Sequence, residues 1–574
     1  MMFIPTTKEE LKFLKWNQLD IILISGDTYI DSSYNGSAVI GKYLISQGYK
    51  VGIIAQPDIN SDKDITRLGV PKLYFGVSSG CVDSMVANYT ATKKKRQNDD
   101  FTPGGINNKR PDRAVIKYVN LIQRYFKGEN KRPILIGGIE ASLRRIVHYD
   151  FWSNSLRKSI LFNSKADYLI YGMGEKPILE FSKAIENNTS PNDIRGLCYI
   201  SNKPKNNFIE LPSFEECKSD KYKFIDAFNK FYLNNDPLTA KGLYQKHDNR
   251  YLIQNPPAYH LTTKEIDFVY DLKYEKDVHP FYKKDGIVKA LDTIKNSVTT
   301  HRGCYGECNF CAIAVHQGRT IIQRSEESIL KEIESIASEK NFKGYINDIG
   351  GPTANMYGIE CEKKLKLGSC KNKRCMFPNT CKSLKPSHKK YNSLLTKARK
   401  IKNIKKIFIA SGIRYDLILS DKNFGNKFLE NLIKYHISGQ LKIAPEHSED
   451  NILNKMGKQS KNVLVEFKNK FYELNREYNQ KQFLTYYLIA AHPGCDENEM
   501  KKLKKFASKE LRVNPEQVQI FTPTPSTYST LMYYTEIDPF TGKKIFVEKN
   551  INKKYNQKNI LINSNNFRKK RRYK

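Results

Sequence analysis

No run of apolar residues in this 574-residue chain approaches the ~20 needed to cross a bilayer, which excludes a helical membrane span. The first residues, M-M-F-I-P-T-T-K-E-E-L-K-F-L-K-W, hold no uninterrupted apolar core, so no secretory signal peptide is expected and the chain reads as cytoplasmic. Acidic residues are in short supply: 60 Asp and Glu stand against 96 Lys and Arg, for a formal net charge of +36. That excess suggests an anionic partner such as RNA, bound by counterion release. The charge is nevertheless spread along the chain, as a biased usage of Lys, Asn and Ile would also produce. Eleven cysteines without a secretory context argue for metal or redox use rather than a disulfide framework. Hydrophobic residues are not lacking: at 39% they suffice for packed cores, and the length implies more than one domain.

The most informative residues are Cys304, Cys308 and Cys311, in the run T-T-H-R-G-C-Y-G-E-C-N-F-C. The spacing is C-x3-C-x2-C, with Phe310 just before the last cysteine. Thiolates this close can hold three irons of a [4Fe–4S] cubane, which usually takes four cysteines, and leave one iron open for chemistry. The other reading is a zinc site, with His301 or His316 as fourth ligand.

The first part of the chain alternates strand and helix patterns. Strands are expected at 20–25, 50–55, 72–77, 133–138 and 167–172, and helices at 36–48 and 113–127, with a polar basic loop at 93–113. This alternation predicts a doubly wound, Rossmann-like parallel sheet over 1–200. Its ligands would sit at the carboxyl ends of the strands, where Gly26-Asp27, Gly137-Gly138-Ile139-Glu140 and Gly172-Met173-Gly174-Glu175 fall. Residues 201–290 show weaker periodicity and read as an irregular extension or linker. A second α/β series over 291–545 offers strands at 297–302, 343–349, 407–411, 441–445, 483–491 and 517–521. Ser325 is a good N-cap for a helix whose inner face is Ile329, Ile333 and Ile336. Six units are too few for a closed eight-fold barrel, so a partial, TIM-like (β/α)6 barrel is expected, with functional residues at its strand ends. Residues 546–574, with the block Arg568-Lys569-Lys570-Arg571-Arg572, read as a disordered basic tail.

With these motifs in place, the chain resembles the radical S-adenosylmethionine (SAM) superfamily, and within it the YgiQ-type, UPF0313-like subfamily. The segments that carry the resemblance are Gly26–Gly36, Gly138–Ser153, the cysteine loop through Arg319, D-I-G-G-P-T-A-N-M-Y at 348–357, A-S-G-I-R-Y-D at 410–416, K-I-A-P-E-H at 442–447 and A-A-H-P-G at 490–494. The resemblance implies that Cys304, Cys308 and Cys311 ligate the cluster and that Phe310 shields it. It implies SAM contacts by Gly350-Gly351 (amino group), Ser411, Arg414 and Asp416 (ribose and carboxylate), Glu446 (ribose hydroxyl) and His492-Pro493-Gly494 (adenine). The acidic residue usual after the glycines is replaced by Pro352, so backbone carbonyls or Asp348 would serve instead. The implied chemistry is reductive cleavage of SAM to a 5′-deoxyadenosyl radical that abstracts hydrogen from a substrate, with a reductant such as flavodoxin or ferredoxin.

Two features stand beside this reading. Cys361, Cys370, Cys375 and Cys381 lie in an insertion at 356–388; an auxiliary cluster, zinc, or four unligated thiols ordered by packing all stay open, since the group has no C-x2-C pair. The N-terminal sheet is similar to cobalamin-binding domains, whose fingerprint is D-x-H-x-x-G. Asp31 and Gly36 keep that spacing, but Ser33 stands at the histidine position, so a histidine ligand to cobalt is excluded there and cobalamin is disfavoured. His148, Asp150, Arg144, Arg145 and Trp152 could line a substrate pocket or serve structure alone. The alternatives to a radical SAM enzyme of unnamed substrate, RNA or protein, are a non-catalytic iron–sulfur or nucleic-acid-binding protein and a methylthiotransferase-like enzyme.

Overall fold

The computed structural model describes residues 3–562. The chain divides into two compact units: the residues up to Lys295 with Val315–Gln317, and Asn296–Ala314 with Gly318 onward.

In the first unit, among the described residues, nine strands form one sheet. Ile21–Ser25 pairs in parallel with both Val51–Ala55 and Tyr74–Ser78, and the latter continues to Ile134–Gly137 and Tyr168–Ile170. The first strands are β-branched and buried along their whole length, as a strand covered on both faces must be. The topological switch point lies where Ile21–Ser25 meets Tyr74–Ser78: the chain runs outward to Val51–Ala55 on one side and to the rest of the sheet on the other. The alternation in the sequence is thus realised.

Residues 201–290 are not a linker. Leu197–Ser201, Arg250–Gln254, Leu243–His247 and Ile209–Leu211 extend the same sheet, partly antiparallel, and Lys221–Leu233 is a helix with Phe224, Phe228 and Phe231 buried. The 93–113 stretch stays mostly irregular, yet Asp99, Thr102, Pro103 and Arg110 are buried.

The second unit carries six strand positions in sequential parallel order among its described residues. Ser297–Thr299 pairs with Asp348–Gly350, and Tyr345–Ile346 with Lys406–Ile407. Ile413 bridges Ile443, and Gln440–Glu446, Phe483–Ala490 and Val518–Ile520 complete the series. This is the expected partial barrel. The helix Glu326–Ala337 starts at Ser325, whose side chain accepts from Ser328 N at 3.1 Å, and it buries Ile329, Ile333 and Ile336. These join a core with Val298, Ile349, Ile407, Ile443 and Leu488 from the strands.

The expected tail needs correction: Ile551–Leu561 is a helix with Lys554, Gln557 and Leu561 buried. It holds its place through polar groups. Lys554 Nζ donates to Tyr533 Oη at 2.8 Å, and Gln557 accepts from Ala491 N at 2.9 Å. The block Arg568–Arg572 lies outside the described residues.

Candidate active site

The cysteine loop leaves the end of the first barrel strand, and it is pinned from within by Asn309. Asn309 N donates to Met456 O at 2.9 Å, Asn309 Nδ2 to Lys455 O at 2.8 Å, and Ser529 N to Asn309 O at 2.9 Å. Glu307 sits in left-handed backbone (φ 45°) and pairs with Arg319 at 3.1 Å. Phe310 is partly buried against the barrel core.

The three thiols lie close enough to perturb one another. Burial first, and then the neighbouring thiols, pushes Cys304 upward and Cys311 up to about 12. Gly306 N donates to Cys304 Sγ at 3.3 Å, and Thr353 Oγ1 lies 3.7 Å from the same sulfur. A Cβ on Gly306 would lie 3.2 Å from both Cys304 Sγ and Arg414 Nη1, and 3.7 Å from Cys308 Sγ. The missing side chain therefore keeps a cradle open between the thiols. Three soft thiolates with N–H donors aimed at sulfur suit iron–sulfur ligation. Among the described residues no group of three or more His, Cys, Asp or Glu forms a site for a single metal ion. A cubane instead asks for thiolates set around its corners. His301, the other candidate ligand, has Nδ1 2.8 Å from Thr300 Oγ1, and His316 has Nδ1 3.1 Å from Ser142 Oγ.

The strand-end residues collect around this loop, but several are already engaged. Arg414 is 8% exposed and grips Asp416 along one edge: Nε donates to Oδ1 at 2.9 Å, and Nη2 pairs with Oδ2. Its remaining nitrogen, Nη1, lies 3.4 Å from Cys308 Sγ. Burial pulls the Arg414 pKa down, but Asp416 outweighs it and holds the group charged. Ser411 gives its hydroxyl to Asp348, whose other oxygen accepts from Ala410 N at 2.8 Å and Ser411 N at 3.1 Å. Gly350 O accepts from Thr300 N at 2.7 Å. The two glycines answer first to packing: a Cβ on Gly350 would meet Ser411 Oγ at 2.7 Å, and one on Gly351 the His301 ring at 2.7 Å.

Glu446 ends the fourth strand in left-handed backbone (φ 70°), at a register shift between Ile443 and Glu446. A bulge of this kind re-aims a side chain at a barrel rim. Burial raises the Glu446 pKa against the pull of Lys458 and Arg414, and its charge reaches Cys311. His492 Nε2 lies 2.7 Å from Ser529 Oγ. Asn355 lies within the D-I-G-G-P-T-A-N-M-Y segment yet has no role assigned by sequence reasoning. It accepts from Arg414 N at 2.8 Å and donates to Arg414 O at 2.9 Å, so it ties the second strand end to the third. The signal for it in the sequence is its place in that segment, three residues after Pro352.

The second cysteine group packs against the same loop. Cys361, Cys375 and Cys381 share an apolar cluster with Tyr305 and Cys304, and Lys364 Nζ lies 3.4 Å from Cys375 Sγ.

A cysteine loop at the carboxyl end of a partial parallel barrel, in a chain that also carries a doubly wound sheet, is the arrangement that the resemblance to radical SAM proteins implies. The Radical SAM N-terminal family profile matches residues 3–297. A UPF0313 protein of Fusobacterium nucleatum is 62% identical over 569 residues, covering 99% of this chain and 100% of the relative. UPF0313 proteins of Thermotoga petrophila (46%, all of both chains) and Clostridium botulinum (48%, 98% of this chain and 88% of the relative) are also similar. The chain belongs to the UPF0313 family of radical SAM proteins. Among solved structures, the methyltransferase TsrM of Kitasatospora setae, with cobalamin and a [4Fe–4S] cluster bound, aligns at TM-score 0.50 and 14% identity over 88% of this chain and 76% of that one. OxsB with aqua-cobalamin aligns at 0.50 and 13% over 93% and 58%. Both likenesses are of fold. No helix among the described residues is long and apolar enough to cross a membrane.

Proposed function

We propose that Cys304, Cys308 and Cys311 hold a [4Fe–4S] cluster, that SAM binds beside it at the barrel mouth, and that the enzyme removes a hydrogen atom from its substrate. The observation that carries this is the convergence of the three thiols, the Gly306 cradle and Arg414 Nη1, 3.4 Å from Cys308 Sγ. A cluster held by Cys304, Cys308 and Cys311 would supply one electron for reductive cleavage of SAM, whose carbon–sulfur bond would break to methionine and a 5′-deoxyadenosyl radical.

The chain's own residues position and shield. Arg414, locked by Asp416 and Asn355, presents a fixed cation that offsets thiolate charge and faces any carboxylate brought to the mouth. Its two-pronged grip is spent on Asp416, so a ligand would meet the other edge of the guanidinium, beside Cys308 Sγ. Glu446, at the bulge that ends the fourth strand, is the acceptor for a ribose hydroxyl. Phe310 keeps water from the loop. The reductant is a flavodoxin- or ferredoxin-like protein. RNA as substrate is supported by the net charge of +36.

The test is anaerobic reconstitution of the full chain followed by reduction with SAM. About four irons per chain and release of 5′-deoxyadenosine are expected, both lost in Cys308→Ala. Iron without SAM cleavage, joined to RNA binding with a steep salt dependence, would instead select a non-catalytic binder. One second reading is a methylthiotransferase-like enzyme that uses the second cysteine group, packed beside Tyr305 and Cys304, as sulfur donor. In that case Cys375→Ala abolishes product and leaves SAM cleavage intact.

A further inference from the structure

A doubly wound sheet binds its ligand in the crevice outside the carboxyl ends of the strands, at the switch point. Here that crevice lies between Gly26-Asp27, after Ile21–Ser25, and Ser79–Cys81, after Tyr74–Ser78. The chain fills it with its own side chain. Arg110, from the basic loop, is 3% exposed, and its guanidinium spans the gap. Its Nη1 lies 2.6 Å from Asp27 Oδ1 and donates to Ser79 O at 2.8 Å; its Nη2 pairs with Asp99 Oδ2 at 3.1 Å. Burial alone would lower its pKa, but Asp27 and Asp99 hold it above the ordinary guanidinium value. A buried cation between two buried carboxylates is a closed electrostatic unit.

The backbone closes the same gap. Gly26 N donates to Ser78 O at 3.1 Å, and a Cβ on Gly26 would run into Ser79 O. Cys81 N donates to Asp27 Oδ2 at 2.6 Å, and a Cβ on Gly80 would strike the Asp27 carboxylate. Above the strand ends, Thr28 N donates to Phe101 O at 3.1 Å, and Gln56 Nε2 joins Gly26 O (3.0 Å) to Thr102 Oγ1 (2.7 Å). The loop that carries the cobalamin-like spacing is stapled as well. Asp31 accepts from Tyr29 Oη at 3.0 Å and Glu275 N at 2.9 Å, and pairs with Lys42 at 3.1 Å.

Other strand-end polar groups are engaged within the chain as well. Glu140 accepts from Ser84 N at 2.9 Å and Val115 N at 3.3 Å. Asp150 binds Arg113 at 2.8 Å and Arg144 at 3.4 Å, while Arg144 also holds Asp83 at 2.8 Å. The residues that the sequence places at a ligand crevice thus serve as one another's ligands.

The fold likeness to cobalamin-bound enzymes suggests that corrinoid as an occupant, and these residues do not fit it. We propose that Arg110 is the built-in occupant of the switch-point crevice, and that the first unit takes neither cobalamin nor another nucleotide-bearing cofactor there. The inference is independent of the cluster chemistry. It is tested by incubating the full chain anaerobically with excess hydroxocobalamin, desalting, and measuring cobalt and iron together. Cobalt below ~0.1 per chain, or weak cobalt removed by salt, is expected whether or not iron is present. About one cobalt per chain after desalting overturns the proposal. Hydrogen exchange on the wild-type chain is the second measurement. Backbone amides over 99–107 should be as protected as those of Ile21–Ser25; exchange within seconds would show an open crevice and overturn it as well.

Discussion

Replacing Asp416 by Asn tests the ion pair that fixes Arg414 beside the cysteine loop. Asp416 is 3% exposed and Arg414 8%, so neither charge is screened by bulk water. Truncating one partner of such a pair strands the other charge and costs about 3–5 kcal/mol. For a unit of this size that cost corresponds to a fall of roughly 6–10 °C in the melting midpoint. The pH dependence supplies the sign. Burial raises the Asp416 pKa, but Arg414 outweighs it and leaves the group below its ordinary carboxylate value. The pair therefore stabilises fully above the unfolded carboxylate pKa of ~3.9 and loses its contribution as pH falls through the folded value. Scanning calorimetry of the iron-free wild type and Asp416→Asn from pH 7 to pH 3.5 should show a wide gap at neutral pH that narrows only at the acid end. The double variant Arg414→Met with Asp416→Leu should recover most of the loss, because an apolar pair strands no charge. A neutral-pH difference under ~1 °C would refute the pairing and the positioning of Nη1 that depends on it.

Gly351→Ala should cost about 1–3 kcal/mol in urea unfolding, because its Cβ must displace the buried His301 ring. Gly306→Ala should leave the unfolding midpoint of the iron-free chain within about 1 kcal/mol yet lower reconstituted iron, since the new methyl enters the cradle between Cys304 Sγ and Arg414. His247 is buried between the Phe162 and Phe214 rings with neither ring nitrogen hydrogen-bonded among the described residues, and burial, with Lys158 adding to it, lowers its pKa to about 3. His247→Leu should stabilise the chain by about 1–2 kcal/mol at pH 7 in urea unfolding. A histidine with a lowered folded pKa loses stability as pH falls below its unfolded ~6.5, so the advantage of the variant should grow toward pH 5.

The barrel was legible because its strands are short apolar runs between amphipathic helices, and the Ser325 cap and its isoleucine face have one reading. The end of the nine-stranded sheet was not, because its strands bury polar side chains. In the Leu243–His247 and Arg250–Gln254 hairpin, Gln245, His247 and Gln254 all point inward, which erases the period-2 signal. The turn left a trace: Asp248-Asn249 is a pair suited to a two-residue hairpin, and Asp248 has φ 53°. The helix Ile551–Leu561 hid for the same reason, since Lys554 and Gln557 are its buried contacts. At the site, the spacing of Cys304, Cys308 and Cys311 marked out the loop that follows the first barrel strand. Sequence could not show that Ser411, expected to meet a ligand, is held by Asp348, because that pairing depends on which strand ends the barrel brings together, nor that Arg414 turns back on Asp416 two residues on, which the local backbone decides.

The most direct measurement is the electron paramagnetic resonance spectrum of the reduced, oxygen-protected chain before and after SAM is added. A cubane signal that SAM shifts, absent in Cys304→Ala, Cys308→Ala and Cys311→Ala, is the predicted result. A chain that holds no cysteine-dependent iron, or a signal that SAM leaves unchanged, would contradict an open-cornered cluster at this loop.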